Sequence, residues 1–234
     1  MKKYVIFFTP RSGSSWLGQM LKDTGVLGKP DEWFNPESIS VVMRRLKADS
    51  FEDYIHKMFE RGKTVNNVFG VELTPLHYEE YLEKKYFKEY FETDTKYILL
   101  MRQDIVAQAI SLWKANESKI FHSVEGDAQN SMKFSEWAIK RWVTHILQHE
   151  NKMAEILEEK NLRPIRISYE FMASNPAAVI NLIASDLIDM KLVRNPSTTN
   201  AYRKLADSNS EELAAEFYHK CHRYCAEVFS NRKI

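Results

Sequence analysis

Long apolar runs are missing from this chain, and their absence narrows its class. The longest such run near the N-terminus, Tyr4 to Phe8, is far too short to cross a bilayer. It also lacks the small-residue cleavage pattern of a signal peptide. Cysteine is scarce: Cys221 and Cys225 are the full complement of a 234-residue chain. Two thiols at i and i+4 of a helical pattern make neither a disulfide framework nor a complete zinc site. They read as reduced thiols, so a cytoplasmic location is expected. Charge of one sign is equally lacking, with 33 Lys and Arg against 32 Asp and Glu and a formal net charge of +1. That balance argues against nucleic acid as a partner, which calls for a broad basic surface. Local anion sites stay open, because they need only a few well-placed cations. No repeat, low-complexity block or Pro/Gly/Ser-rich linker interrupts the sequence. With 44% hydrophobic and 28% charged residues, the chain reads as one ordinary folded domain over residues 1–234.

Four short apolar runs read as buried parallel strands: Lys3–Thr9, Asn67–Leu73, Lys96–Met101 and Arg163–Ser168. Helical patterns follow each of them. Ser14–Thr24 groups Trp16, Leu17, Met20 and Leu21 on one face, with Gly25 as its stop. Ile105–Ala115, Phe134–Glu159 and Pro176–Asp189 are the others. Strands alternating with helices predict an α/β fold, a central parallel sheet with helices on both faces. Such sheets bind ligands beyond the carboxyl ends of their strands. This directs attention to Pro10–Ser15, Glu72–His77, Arg102–Ser111 and Tyr169–Asn175.

The first of these, Pro10-Arg11-Ser12-Gly13-Ser14-Ser15, joins a strand to a helix. Gly13 allows a tight turn and close backbone approach. Ser14 and Ser15 add hydroxyls beside the free N–H groups of a helix start, which favour an anion. Arg11 adds a planar fork of donors suited to phosphate. Helix capping accounts for one serine; it does not account for three hydroxyls, a glycine and an arginine together. The loop departs from a Walker A motif, because no second glycine precedes a lysine. The third strand run, Ile98 to Met101, is followed by Arg102, where P-loop NTPases commonly place an aspartate that helps to hold Mg²⁺. Two cationic strand ends suggest a ligand with two separated anionic groups. Behind Arg102, the residues Asp104, Gln108 and Ser111 fall within roughly 60° of helix circumference. That stripe is either functional or a plain solvated face, while Val106, Ala109, Ile110 and Trp113 are expected against the sheet. His145 and His149 lie i, i+4 without the carboxylate pattern of a zinc protease, so metal binding is not expected there.

Pro10-Arg11-Ser12-Gly13-Ser14-Ser15-Trp16-Leu17, followed later by the stretch from Arg102 to Ala115, resembles the two nucleotide-binding segments of the PAPS-dependent sulfotransferases, in the form of their Stf0-like branch. PAPS is 3′-phosphoadenosine 5′-phosphosulfate. The resemblance implies a P-loop-NTPase-like sulfotransferase fold and PAPS as co-substrate, without a metal. It places Arg11, Ser12, Gly13, Ser14, Ser15 and Trp16 at the 5′-phosphosulfate. Arg102 falls at the 3′-phosphate, with either Ser111 or Gln108 beside it. Ser168-Tyr169-Glu170 resembles a family segment near the adenosine, which brings in Tyr169. Arg203, in Ala201-Tyr202-Arg203-Lys204, stands in for the C-terminal phosphate clamp of the animal-type enzymes. Gly25 to Phe34 resembles the stretch carrying the branch's proposed catalytic glutamate, here Glu32. Trp33 and Phe34 then either meet the acceptor sugar or are core aromatics. At Glu72 the branch would have a lysine, so Glu72 is a second carboxylate for the acceptor pocket and a rival for the role of base.

The function implied is transfer of a sulfuryl group from PAPS to a hydroxyl of a carbohydrate or glycolipid. The resemblance is compatible with a homodimer. Two other classes stand beside it: a metal-dependent small-molecule kinase, and a non-catalytic module that binds PAPS or PAP.

Overall fold

The strands are mostly apolar because both faces of the sheet are largely covered, the interior exceptions being a buried Glu72 and an exposed Arg166. A computed structural model describes residues 1–82, 84–91, 94–119, 132–190 and 208–233. It contains β1 (Lys2–Phe8), β2 (Val68–Leu73), β3 (Thr95–Met101) and β4 (Ile165–Ser168), in one parallel sheet of order β2-β1-β3-β4. The four apolar runs are these strands, to within a residue or two at their ends. Eleven helices are described: α1 (Ser14–Asp23), α2 (Ile39–Leu46), α3 (Phe51–Gly62), α4 (Pro75–Leu82), α5 (Lys85–Phe91), α6 (Ile105–Ser118), α7 (Glu136–Glu159), α8 (Tyr169–Ser174), α9 (Pro176–Ile188), α10 (Ser208–Lys220) and α11 (His222–Asn231).

Side chains alternate across the sheet, so one strand feeds two cores. Val5 and Phe7 join Phe69, Val71, Leu73 and Leu99 on one face, beneath α3, α4 and the later half of α7. Tyr4, Ile6 and Phe8 join Val68, Ile98, Leu100 and Ile167 on the other, beneath α1 and α9. A third cluster lies away from the sheet. There Ile105, Val106, Ala109, Ile110 and Trp113 of α6 pack on Ile139, Val143 and Ile146 of α7, with Leu213, Phe217, Cys221 and Val228. This corrects the expectation that α6 lays its apolar side on the sheet. Both sheet faces are already covered by other helices, and α6 is buried almost all round by α7, α10 and α11. Cys221 and Cys225 are free thiols buried in this cluster.

The register aligns the carboxyl ends. Phe7 pairs with Leu73, Phe8 with Leu100, and Met101 with Ser168. The chain therefore leaves all four strands at one edge. From β1 it travels towards β2, and from β3 towards β4, on opposite sides. The divergence lies between β1 and β3, which is where an open α/β sheet forms its binding crevice. The two loops flanking it carry Arg11 and Arg102. No helix among the described residues is long and apolar enough to cross a membrane.

Candidate active site

The loop after β1 is wound tightly. The Ser12 N–H donates to the Thr9 carbonyl (3.2 Å), and Arg11 and Gly13 take left-handed φ values of 66° and 94°. Glycine is required at position 13 twice over. Its φ suits no side chain, and a Cβ would come within 2.7 Å of the Tyr169 ring. A left-handed arginine costs about 1–2 kcal/mol relative to its relaxed backbone, so the loop is held in place by its surroundings. Gln108, fully buried, donates its amide to Thr9 Oγ1 and to the Pro10 carbonyl, both at 2.8 Å. It is a strut from α6 to the loop. Arg11 Nε donates to Ser111 Oγ at 3.0 Å. The stripe formed by Asp104, Gln108 and Ser111 is thus no solvated face. Asp104 caps α6 by accepting from the Ala107 N–H and also accepts from the Tyr218 hydroxyl, and the other two hold the loop.

Gly13 is the N-cap of α1 and supplies no capping side chain. Neither Ser12 nor Ser14 caps the helix, and its first turn has no acidic residue, so the positive end of the dipole faces the crevice uncompensated. Ser12 is fully buried, and its Oγ has no hydrogen-bond partner among the described residues. Arg102 Nε is in the same condition. Buried donors without acceptors are rare in a finished interior and fit an anionic ligand with groups at both places. Arg102 Nη1 reaches the Arg11 carbonyl at 3.5 Å, and its guanidinium lies over the Tyr169 ring, 4.9 Å from the centroid. Trp16 meets Tyr169 edge-on at 6.2 Å. Burial, and then the neighbouring Arg102 charge, lower the Arg11 pKa. Arg11 still remains a cation, because arginine ordinarily titrates above 12. Two guanidiniums in one crevice give strong local positive potential to a nearly neutral protein.

The carboxylates gather at the β2 end. The Glu72 N–H donates to the Asp31 carbonyl at 2.9 Å, which brings the loop carrying Glu32 to the strand. Glu72 is 4% exposed, and its carboxyl lies against Gly18 of α1, where no side chain intervenes. Burial, then Glu32 and Asp31, push its pKa up to about 8, opposed by Lys22 and a hydrogen bond with Ser14. Glu32 is half-buried and accepts from Asn35 Nδ2 at 3.0 Å. Burial raises its pKa, and Asn35 offsets part of the rise. Burial thus raises both carboxyls, and it raises Glu72, the more deeply buried of the two, further.

Of the two readings open for Phe34, its burial favours the core aromatic: it is 1% exposed and packs between Tyr81 (5.0 Å) and Phe91 (6.0 Å). Trp33 is half-buried against the same core, its carbonyl accepting from the Tyr54 hydroxyl. Ser15 is half-buried beside the cradle. Arg203 lies outside the described residues. The His145 and His149 rings lie 4.6 Å apart on α7, tilted by 56°, and burial lowers both pKa values, His149 to about 4. Two residues that sequence reasoning passed over support the Arg102 turn. Glu170 accepts from the N–H groups of Gln103 and Asp104, and Arg232 donates to the carbonyls of Arg102 and Gln103. Only Glu170 gave a signal, lying next to Tyr169 in a recognisable segment.

The state of Glu72 is testable through stability. A carboxyl whose folded pKa is raised binds its proton more tightly when folded. The wild-type protein should lose stability as pH rises from the ordinary carboxyl range to about 8 and level off above. Glu72→Gln, a permanently neutral isostere, should remove that slope and be the more stable protein at pH 8. Urea unfolding of both proteins across this range checks it; parallel curves would show that Glu72 is ionised in the folded state.

Comparison with known proteins agrees with this geometry. A sequence profile described as Stf0 sulphotransferase matches residues 3–220. The trehalose 2-sulfotransferase of Mycolicibacterium smegmatis is 23% identical, over 92% of this chain and 93% of its own length. That of Mycobacterium tuberculosis is 21% identical, over 92% and 96%. Among solved structures, a sulfotransferase from Alicyclobacillus acidocaldarius superposes with a TM-score of 0.52 at 14% identity, covering 100% of this chain and 97% of that one. The sulfotransferase domain from the curacin biosynthetic pathway gives 0.51 at 14% identity, covering 91% and 82%. The structures establish a shared sulfotransferase fold. The profile match spans nearly the whole chain, and on that ground the chain belongs to the Stf0 sulfotransferase family and is a sulfotransferase.

Proposed function

We propose that this enzyme moves a sulfuryl group from PAPS to a hydroxyl of a carbohydrate or glycolipid, with Glu32 as general base and no metal. The observation that carries the reading is the pair of guanidiniums, Arg11 and Arg102, at the divergence of β1 and β3, with the loop of Glu32 held at the neighbouring β2 end by the Glu72 N–H. The unpartnered Ser12 Oγ and Arg102 Nε suit a donor with anionic groups at both ends. In this reading Ser12, Gly13, Ser14, Ser15 and Trp16 hold the 5′ end, Arg102 holds the 3′-phosphate, and Tyr169, which Trp16 meets edge-on, lies by the adenosine. Ser111 acts by orienting Arg11. Arg203 keeps the part assigned to it by resemblance. The sugar acceptor is supported by the names of the two trehalose 2-sulfotransferases.

Bound PAPS supplies the sulfuryl group and the nucleotide that leaves. The acceptor oxygen approaches in line, a new S–O bond forms, and the bond to the bridging oxygen breaks. Glu32 takes the hydroxyl proton as the acceptor oxygen gives up its electrons to sulfur. Arg11 and the N–H groups at the start of α1 meet the charge that grows on the bridging oxygen. Donors fixed in advance are effective there because they need no reorganisation. Glu72, kept neutral, spares the anion cradle a carboxylate beside Ser14. The products are PAP and a sulfate ester, with the proton on Glu32.

Glu32→Gln should lower kcat at least roughly a hundredfold, within the usual range for general-base assistance, with PAP affinity intact. Glu72→Gln should act on acceptor KM or melting temperature. The reverse pattern in steady-state kinetics with PAPS and trehalose would make Glu72 the base. Arg11→Ala should cost about tenfold or more in kcat/KM, given about 1.5–3 kcal/mol for a charge-assisted hydrogen bond. Wild-type kinetics in that variant would remove the cradle assignment.

A further inference from the structure

We infer that Arg232, in the segment after α11, is a positioning residue for donor binding that clamps the β3–α6 turn and so aims the Arg102 guanidinium. The inference rests on the reading of Arg102 as the 3′-phosphate contact. The turn of residues 102–104 is held from two sides by side chains far away in sequence. Glu170 of α8 takes its N–H groups, from Gln103 at 3.0 Å and Asp104 at 3.2 Å. Arg232 takes its carbonyls: Nη2 donates to Arg102 O at 2.6 Å and Nη1 to Gln103 O at 2.8 Å. The same guanidinium is anchored on Glu150 of α7, with Nε donating to Oε2 at 2.7 Å. This ion pair is nearly dry, with side-chain exposures of 9% for Arg232 and 2% for Glu150. Every donor direction of the fork is thereby in use except toward solvent, and a lysine cannot reproduce it, because an ammonium has no planar fork.

The consequence falls on Arg102. Its side chain is long and loses much freedom when it binds a phosphate. Its Nη1 and ring-stacking contacts define one orientation only if its backbone is fixed. Pinning both carbonyls of Arg102 and Gln103 supplies that fixation before the ligand arrives, which is how preorganisation raises affinity. Among the described residues Arg232 hydrogen-bonds Glu150 and the carbonyls of Arg102 and Gln103, so its effect passes through the turn.

The experiment compares PAP with adenosine 5′-monophosphate, which lacks the 3′-phosphate, by calorimetry on the full chain. Arg232→Lys keeps a cation for Glu150 and loses the fork. Arg232→Gln, which keeps a donor without the charge, is measured alongside, and melting curves verify that each variant is folded. The expected result is a fall of about tenfold in PAP affinity with adenosine 5′-monophosphate affected less than twofold, so that the preference for the 3′-phosphate shrinks. Adding Arg102→Ala should produce no further loss beyond that of Arg102→Ala alone. Equal losses for both ligands, or an unchanged preference in a folded variant, would overturn the inference while leaving the role of Arg102 standing. A wild-type protein that binds both ligands alike would overturn the role of Arg102 and the inference with it.

Discussion

Arg11 and Arg102 leave β1 and β3 at the same level of a parallel sheet, and the register of those strands leaves the two loops no alternative but to share one crevice. Like charges brought together in a half-buried place repel, and that repulsion adds to burial in lowering the Arg11 pKa. The surroundings read as the means of holding that repulsion in check. Ser111 fixes the Arg11 fork, Gln108 braces the loop beneath it, Tyr169 offers its face to Arg102, and the turn behind Arg102 is tied to Glu170 and Arg232. An anion lying between the guanidiniums would relieve the repulsion and offer acceptors to Ser12 Oγ and Arg102 Nε, which have none among the described residues.

The carboxylate side obeys the same electrostatics with opposite sign. Two carboxyls near a site for a polyanionic donor would oppose its binding if both were ionised. Burial against Gly18 raises the Glu72 pKa, and the neighbouring Glu32 and Asp31 add to the rise. Glu32 sits in a more accessible loop and keeps an Asn35 hydrogen bond that favours its charged form.

Much of this was readable in the amino-acid order, and the parts that were not have a common cause. Strands buried on both faces are continuous apolar runs, so KYVIFFT and its counterparts stood out, and α1, α7 and α9 followed from their 3.6-residue periodicity. The short helices α2, α4 and α5 carry too few turns for a period to emerge. Periodicity in α6 grouped the right residues but could not say what they pack on, and the answer was other helices. In the site, the cradle was legible because its residue types are adjacent in sequence. Phe34 was ambiguous because an aromatic under a loop and one facing a ligand have the same local pattern. The pairing of Arg232 with Glu150 and the Arg102 turn joins three distant segments, and no local pattern records such a contact.

The central claim is that the crevice holds a nucleotide bearing phosphates at both ends by protein cations. Thermal unfolding of the wild-type protein with PAP, with ATP and with ATP plus Mg²⁺, the PAP series repeated in EDTA, tests it most directly. A ligand at 100 times its Kd stabilises by about 2.7 kcal/mol. The account predicts a stabilisation of that order by PAP, unchanged by EDTA, and a clearly smaller effect of ATP with or without Mg²⁺. Stabilisation by ATP plus Mg²⁺ with none by PAP would contradict it.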